Sequence, residues 1–196
     1  MNCKSIFGIM ILAFALSACH ARKQPSVENR TVILPALGTT SEDTLTVNAN
    51  AEFWLEHVIE NGDSVYAVAA RLHYDTSFVK VLFALDGSVQ AENGGYLGGT
   101  GHLTVSLING MAGNLLMAYS KQGEQSGTSG NGLLWRVRMR ALRSGNTELI
   151  FDKQKSAVLG SNFIGNAQER LPAEFVDAHL EMAAFSPMRV RLLIKP

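Results

Sequence analysis

The chain has 196 residues, with 17 Lys and Arg balanced by 17 Asp and Glu, 18 glycines and two cysteines. That length suits one domain with appendages. The even charge excludes an electrostatic nucleic-acid binder, which needs a marked basic excess.

Residues 1–18 read as a targeting segment. Lys4 supplies the positive start and Ile6–Leu16 an apolar run of about 11 residues. This is too short to cross the roughly 30 Å hydrocarbon core of a bilayer as a helix. Leu16-Ser17-Ala18-Cys19 follows, and it resembles the lipobox of bacterial lipoprotein signal peptides. The resemblance implies a diacylglyceryl group on the Cys19 sulfur, cleavage before Cys19 and acylation of the new amino group with fatty acid such as palmitate. Several acyl chains make such an attachment effectively permanent. His20 stands where an Asp signals inner-membrane retention in Gram-negative bacteria, so the expected location is the cell envelope, at the outer membrane. Cys3 leaves with the signal, so the folded part carries no disulfide, cysteine nucleophile or cysteine metal site.

Residues 19–43 are polar and contain two prolines, Pro25 and Pro35, which reads as a flexible linker in which Thr31–Leu34 is the stretch able to order locally. Thr44–Ala49 alternates as a short strand. Glu52–Glu60 shares a face through Phe53, Leu55, His57 and Ile59 as a strand, or through Phe53, Trp54, His57 and Val58 as a helix; the Asn61-Gly62-Asp63 turn after it favours a strand. Val65–Leu85 then reads as two strands joined at Asp75-Thr76-Ser77. In the first, Tyr66, Val68, Ala70, Leu72 and Tyr74 take one face, and Ala67, Ala69, Arg71 and His73 the other. Asp86–Gly101 reads as a mobile Gly-rich loop. His102–Asn109 and Asn114–Ser120 are the next strands, followed by a polar connection over Lys121–Gly132. Leu133–Leu142 alternates, with Leu134, Arg136, Arg138 and Arg140 facing one way and Leu133, Trp135, Val137, Met139 and Ala141 the other. Ser144-Gly145-Asn146 turns the chain into Thr147–Phe151, and Phe175–Met182 closes the series. Residues 183–196 carry Arg189, Arg191 and Lys195 among aliphatics, as a basic tail or an extra edge strand.

About nine short strands with no clear helix predict an all-β domain over 44–182, a nine-stranded antiparallel sandwich with jelly-roll topology. No nucleophile elbow, Walker A loop or His-Glu-x-x-His motif occurs. Gly98–Gly101 lacks the strand-to-helix frame of a phosphate loop and reads as a turn. His57, His73, His102 and His179 are too scattered to predict a zinc site. Glu52, Glu56 and Glu60 read as a solvated row, and the arginine stripe as a solubilising face or a contact for an acidic partner or lipid headgroups. No catalytic residue, metal or cofactor is expected. Trp54 and Trp135 are expected in the core; Tyr96 and Tyr119 are the weak candidates for stacking on sugar rings.

The order of these elements resembles the cohesin domain, the receptor module of bacterial cellulosome scaffolds. The matching stretches are Thr44–Val58, Val65–Leu82 (VYAVAARLHYDTSFVKVL), Gly132–Phe151 (GLLWRVRMRALRSGNTELIF) and Phe175–Met182 (FVDAHLEM), with Ala178 where Gly is common. The resemblance implies a non-catalytic recognition domain that binds a dockerin, a small Ca²⁺-loaded helical module, on one sheet face, in polysaccharide degradation or surface assembly. It implies partner-binding positions at Ala67, Ala69, Arg71, His73 and Lys121. The family presents polar residues such as Asn and Asp on the first four positions and an acid at the last, so this chain departs from ordinary dockerin contact. The alternatives are a carbohydrate-binding module on the same fold and an accessory lipoprotein of an envelope or secretion complex.

Overall fold

A computed structural model describes residues 31–183, apart from 38–39, 42–43, 100, 124–125, 163–166 and 172. The signal segment, Cys19 and residues 184–196 lie outside the described residues. In chain order the strands are β1 (Thr31–Leu37), β2 (Thr40–Ser41), β3 (Thr44–Asn48), β4 (Glu52–Tyr74), β5 (Val79–Val81), β6 (Ala91–Asn93), β7 (His102–Leu107), β8 (Asn114–Ser120), β9 (Thr128–Ala141), β10 (Gly145–Phe151), β11 (Ala157–Asn162), β12 (Ala167–Leu171), β13 (Ala173–Phe175) and β14 (Ala178–Ala183). A 3₁₀ turn, Ile108–Gly110, links β7 to β8. The all-β sandwich expected from the pattern is what forms, with more strands than the nine predicted.

Strand β4 organises both layers. Its first half pairs antiparallel with β1 and β9, and its second half with β8, β10 and β11. Asn61-Gly62-Asp63, predicted to reverse the chain, instead forms a bulged bend inside this one strand. Register shifts fall at Ile59/Gly62 and Gly62/Val65 against β9, and Asn61 and Ser64 take φ of 52° and 50°. Asn enters this left-handed region at low cost. Side chains replace the missing ladder partners: the Asn61 amide donates to Asn131 Oδ1 at 2.8 Å and the Ser64 amide to Ser129 Oγ at 2.9 Å. An Asn-Gly pair signals a hairpin only if the flanking strands pair with each other. Here both flanks find the same third strand.

Several boundaries differ from expectation. Thr31–Leu37, inside the span read as a linker, is a strand on β4 with Ile33 and Ala36 fully buried. Its apolar TVILPAL run outweighs the polar composition around it. Asp86–Gly101, read as mobile, is pinned: β6 pairs with β9, and Tyr96 and Leu97 enter the core. The alternation assigned to Leu133–Leu142 fails at its start. A bulge opposite His57/Val58 shifts the phase and buries Leu134, predicted to lie with the arginines. Two pairings are parallel, β1 with β13 and β3 with β14, so the sheets are mixed rather than wholly antiparallel.

The core between the layers is built from Leu55, His57 and Ile59 of the first half of β4, and from Val68, Ala70 and Leu72 of the second. Trp135, Val137 and Met139 of β9, Met117 and Tyr119 of β8, and Leu149 and Phe151 of β10 complete it. Trp135 is wholly buried, donating its Nε1–H to the Met117 sulfur at 3.0 Å and meeting Tyr119 edge-on at 6.5 Å.

Candidate functional site

With Val68, Ala70, Leu72 and Tyr74 turned inward, β4 presents Ala69, Arg71 and His73 on the opposite face, with Ala67 in the same row but buried at 9% exposure. Register extends this row sideways. On β8, Ser120, Ala118, Leu116 and Asn114 lie opposite the four, and His102, Thr104 and Ser106 of β7 lie beyond them. On the other side Ala157 and Leu159 of β11 stand opposite Ala69 and Ala67, and Ile150 of β10 opposite His73. The middle of this face is therefore a flat patch of alanine methyls. Leu116 and Ile150 stand up from it, 36% and 41% exposed.

Charge lies toward one end. Asp152 Oδ2 is 3.8 Å from both the Arg71 guanidinium and His73 Nε2. The Arg71 amide donates to buried Ser156 Oγ at 3.1 Å, fixing the strand beneath. An open recess of about 630 Å³ continues from His73 past Asp75 and Glu148. At its floor, burial raises the Tyr74 hydroxyl above its ordinary value of 10.0, against smaller opposing backbone hydrogen bonds.

The structure thus groups four of the five positions expected to meet a partner in one row of β4. Lys121 follows β8 at the edge, and its ammonium donates to the Ser126 carbonyl at 2.6 Å, within its own connection. Leu116, Ala118, Ile150 and Asp152 were missed in the sequence. Period-2 alternation through Asn114–Ser120 and Thr147–Phe151 carried the signal for the first three, but only pairing register shows that they adjoin β4.

The outer face of the other layer is electrostatically closed. Trp54, expected in the core, lies outside it under two guanidinium groups, with Arg136 at 4.7 Å and Arg138 at 5.8 Å from its ring. Arg138 reaches Glu52 at 2.8 Å, Arg140 pairs with the same carboxylate, and Arg136 donates to Glu92 at 2.8 Å. The hydrogen bond from Arg140 is the main cause that holds the Glu52 carboxyl below its ordinary value. Burial moves Glu56 the other way. The acidic row on β4 and the arginine stripe on β9 are thus two sides of one ladder.

Neither tyrosine proposed for sugar stacking is available. Tyr119 is fully buried, its hydroxyl donating to Asn93 Oδ1 at 2.6 Å. Tyr96 is 9% exposed and donates to the carbonyls of Thr128 and Gly130 at 3.0 and 3.3 Å. Both close gaps beneath glycine-rich backbone, which a composition-based reading of an exposed loop does not anticipate. Among the described residues, no three His, Cys, Asp or Glu side chains converge as metal ligands.

Comparison with known proteins places this architecture. No protein-family profile and no curated protein matches the sequence. Solved structures do. A non-cellulosomal cohesin from the archaeon Archaeoglobus fulgidus aligns over 85% of this chain and 99% of its own, at 13% identity and a TM-score of 0.58. The seventh ScaB type I cohesin of Pseudobacteroides cellulosolvens aligns over 81% and 96%, at 12% identity and 0.59. The structure of a type I cohesin–dockerin complex from Clostridium thermocellum aligns over 80% and 95%, at 10% identity and 0.59. The chain has the cohesin-like β-sandwich fold.

Proposed function

We propose that this protein is a non-catalytic, lipid-anchored module of the bacterial cell envelope that binds a protein partner, a dockerin-type helical domain, through the β7–β8–β4–β10/β11 face, in polysaccharide degradation or surface assembly. The observation that carries the reading is the shape of that face. Ala67, Ala69, Ala118 and Ala157 keep the centre low, so a helix can approach the backbone closely, while Leu116 and Ile150 offer apolar anchors and Arg71, His73 and Asp152 form a polar rim. One of the similar structures is a cohesin bound to a dockerin, which supports the partner class. The interior placement of Tyr96 and Tyr119 disfavours a sugar-stacking surface. The anchor rests on Leu16-Ser17-Ala18-Cys19 after the apolar run.

Calorimetry against dockerin-type modules encoded by the same genome, with envelope pull-down as the screen, tests the face. Ala69→Arg and Leu116→Asp are expected to abolish binding without moving the unfolding midpoint, while Glu60→Gln leaves it intact. Retention of binding in both face variants overturns the assignment. For the anchor, Cys19→Ser is expected to lose fatty-acid labelling and release the protein from membranes.

A further inference from the structure

Two recesses adjoin at the end of the sandwich where β4 gives way to the Asp75–Ser77 turn. The first is lined by Asp75, Asn114, Glu148 and Ile150, among others. The second, about 420 Å³, is lined by Val81, Leu82, Phe83, Leu107 and Leu142, with Lys80 as its cation. Tyr74, Thr76 and Ala112 belong to both walls, so the two make one furrow, acidic at the β10 end and apolar at the β5 end. Five large hydrophobic side chains are exposed among the described residues. One of them, Phe83, lines this apolar end at 49% exposed, and Leu85 and Met111, 109% and 54% exposed, are near neighbours in sequence of its lining residues.

The described chain ends beside this furrow. Met182 of β14 pairs with Gly145. Leu142, just before β10, is a wall of the apolar end, and Glu148, within β10, is a wall of the acidic end. The next 13 residues are AFSPMRVRLLIKP. Fully extended they reach about 40 Å. They contain Arg189, Arg191 and Lys195, no acid, and the aliphatic run Leu192-Leu193-Ile194. Read along the segment, arginines come before the aliphatic run. Read along the furrow from β10, carboxylates come before the apolar walls.

We infer that residues 184–196 dock in cis along this furrow, with Arg189 and Arg191 beside Asp75 and Glu148 and with Leu192–Ile194 covering Phe83, Leu107 and Leu142. The docked segment removes exposed apolar surface that a monomer otherwise leaves in water. This inference does not rest on the partner reading, although the acidic end of the furrow shares His73 and Ile150 with the proposed partner face.

Hydrogen exchange on the full chain tests it, against a chain stopped after Ala183 and a full-length Leu193→Asp variant. Both changes are expected to speed exchange at least several-fold in residues 78–85 and 107–113. A synthetic 184–196 peptide added to the shortened chain is expected to restore protection, and to bind at least tenfold more weakly once Phe83→Asp is introduced. Leu193→Asp leaves the described core untouched, so it serves where the shortened chain does not fold. Unchanged exchange in the Leu193→Asp variant overturns the inference. Protection that appears only as protein concentration rises, together with a dimer in sedimentation, also overturns it by assigning the furrow to another copy's segment.

Discussion

The His57 and Trp135 rings lie 5.4 Å apart in the centre of the sandwich, and neither imidazole nitrogen has a hydrogen-bond partner among the described residues. His57 is fully buried and also meets Phe151 edge-on at 5.7 Å. It behaves as a flat apolar filler whose protonation the fold opposes.

That opposition sets a pH dependence. Burial drives the His57 pKa from 6.5 down to about 3. Above pH 6.5 the ring is neutral both folded and unfolded and contributes no slope. As pH falls from 6.5 toward 3, the unfolded chain takes up a proton that the folded chain refuses, so stability falls by about 1.4 kcal/mol per pH unit from this group. His57→Leu is expected to change stability at pH 7 by less than about 1.5 kcal/mol. It should also flatten the pH profile of the urea midpoint between pH 6 and 4. A variant profile parallel to wild type would refute the assignment.

At the alkaline end the relevant group is Tyr96, whose hydroxyl is pushed up to about 12 mainly by burial and secondarily by Asp63. The unfolded chain loses this proton near pH 10 while the folded chain keeps it, so stability drops between pH 10 and 12. Tyr96→Phe should cost about 1 kcal/mol at pH 7 through the carbonyl partners it abandons. It should also remove that alkaline loss, and urea titration at pH 7 and 11 separates the two effects.

Two glycines give opposite expectations for one substitution. A Cβ on Gly94 would lie 2.3 Å from the Leu133 carbonyl oxygen, part of the β9 backbone that cannot yield, whereas Gly87 at φ +81° meets nothing within 4 Å. Gly87→Ala should cost about 1–2 kcal/mol of left-handed strain. Gly94→Ala should cost clearly more and loosen β6 from β9, visible as faster amide exchange at Gly94, which bonds the Leu134 carbonyl at 2.9 Å. Equal melting temperatures for the two variants would contradict this.

The Glu52 carboxylate holds Arg138 and Arg140 together at the solvent face. Glu52→Gln leaves two guanidinium groups facing each other across water. The melting temperature is expected to fall at low ionic strength, and the deficit to close in 1 M salt as the repulsion is screened. A deficit indifferent to salt would point to lost packing of Trp54 instead.

Much of this was legible because alternation reports which side of a strand meets water. The row Ala67, Ala69, Arg71, His73 and the buried Val68, Ala70, Leu72 came directly from that rule. Alternation carries no information on phase slips: the bulge that buries Leu134 and the bend at Asn61–Ser64 depend on which strand lies alongside. Short pieces such as Ala91–Asn93 and Ala157–Asn162 have little pattern of their own and become strands only through β9 and β4. The face proposed for a partner was half visible for the same reason. Its β4 row is local sequence, whereas its breadth, through Leu116 and Ile150, comes from residues far along the chain.

Because β4 is an unbroken 23-residue ribbon serving five neighbouring strands across both layers, neither layer can come apart while the other survives. Denaturant should therefore find no half-melted species: ellipticity and tryptophan emission should follow one superimposable curve, with the chain either whole or wholly undone.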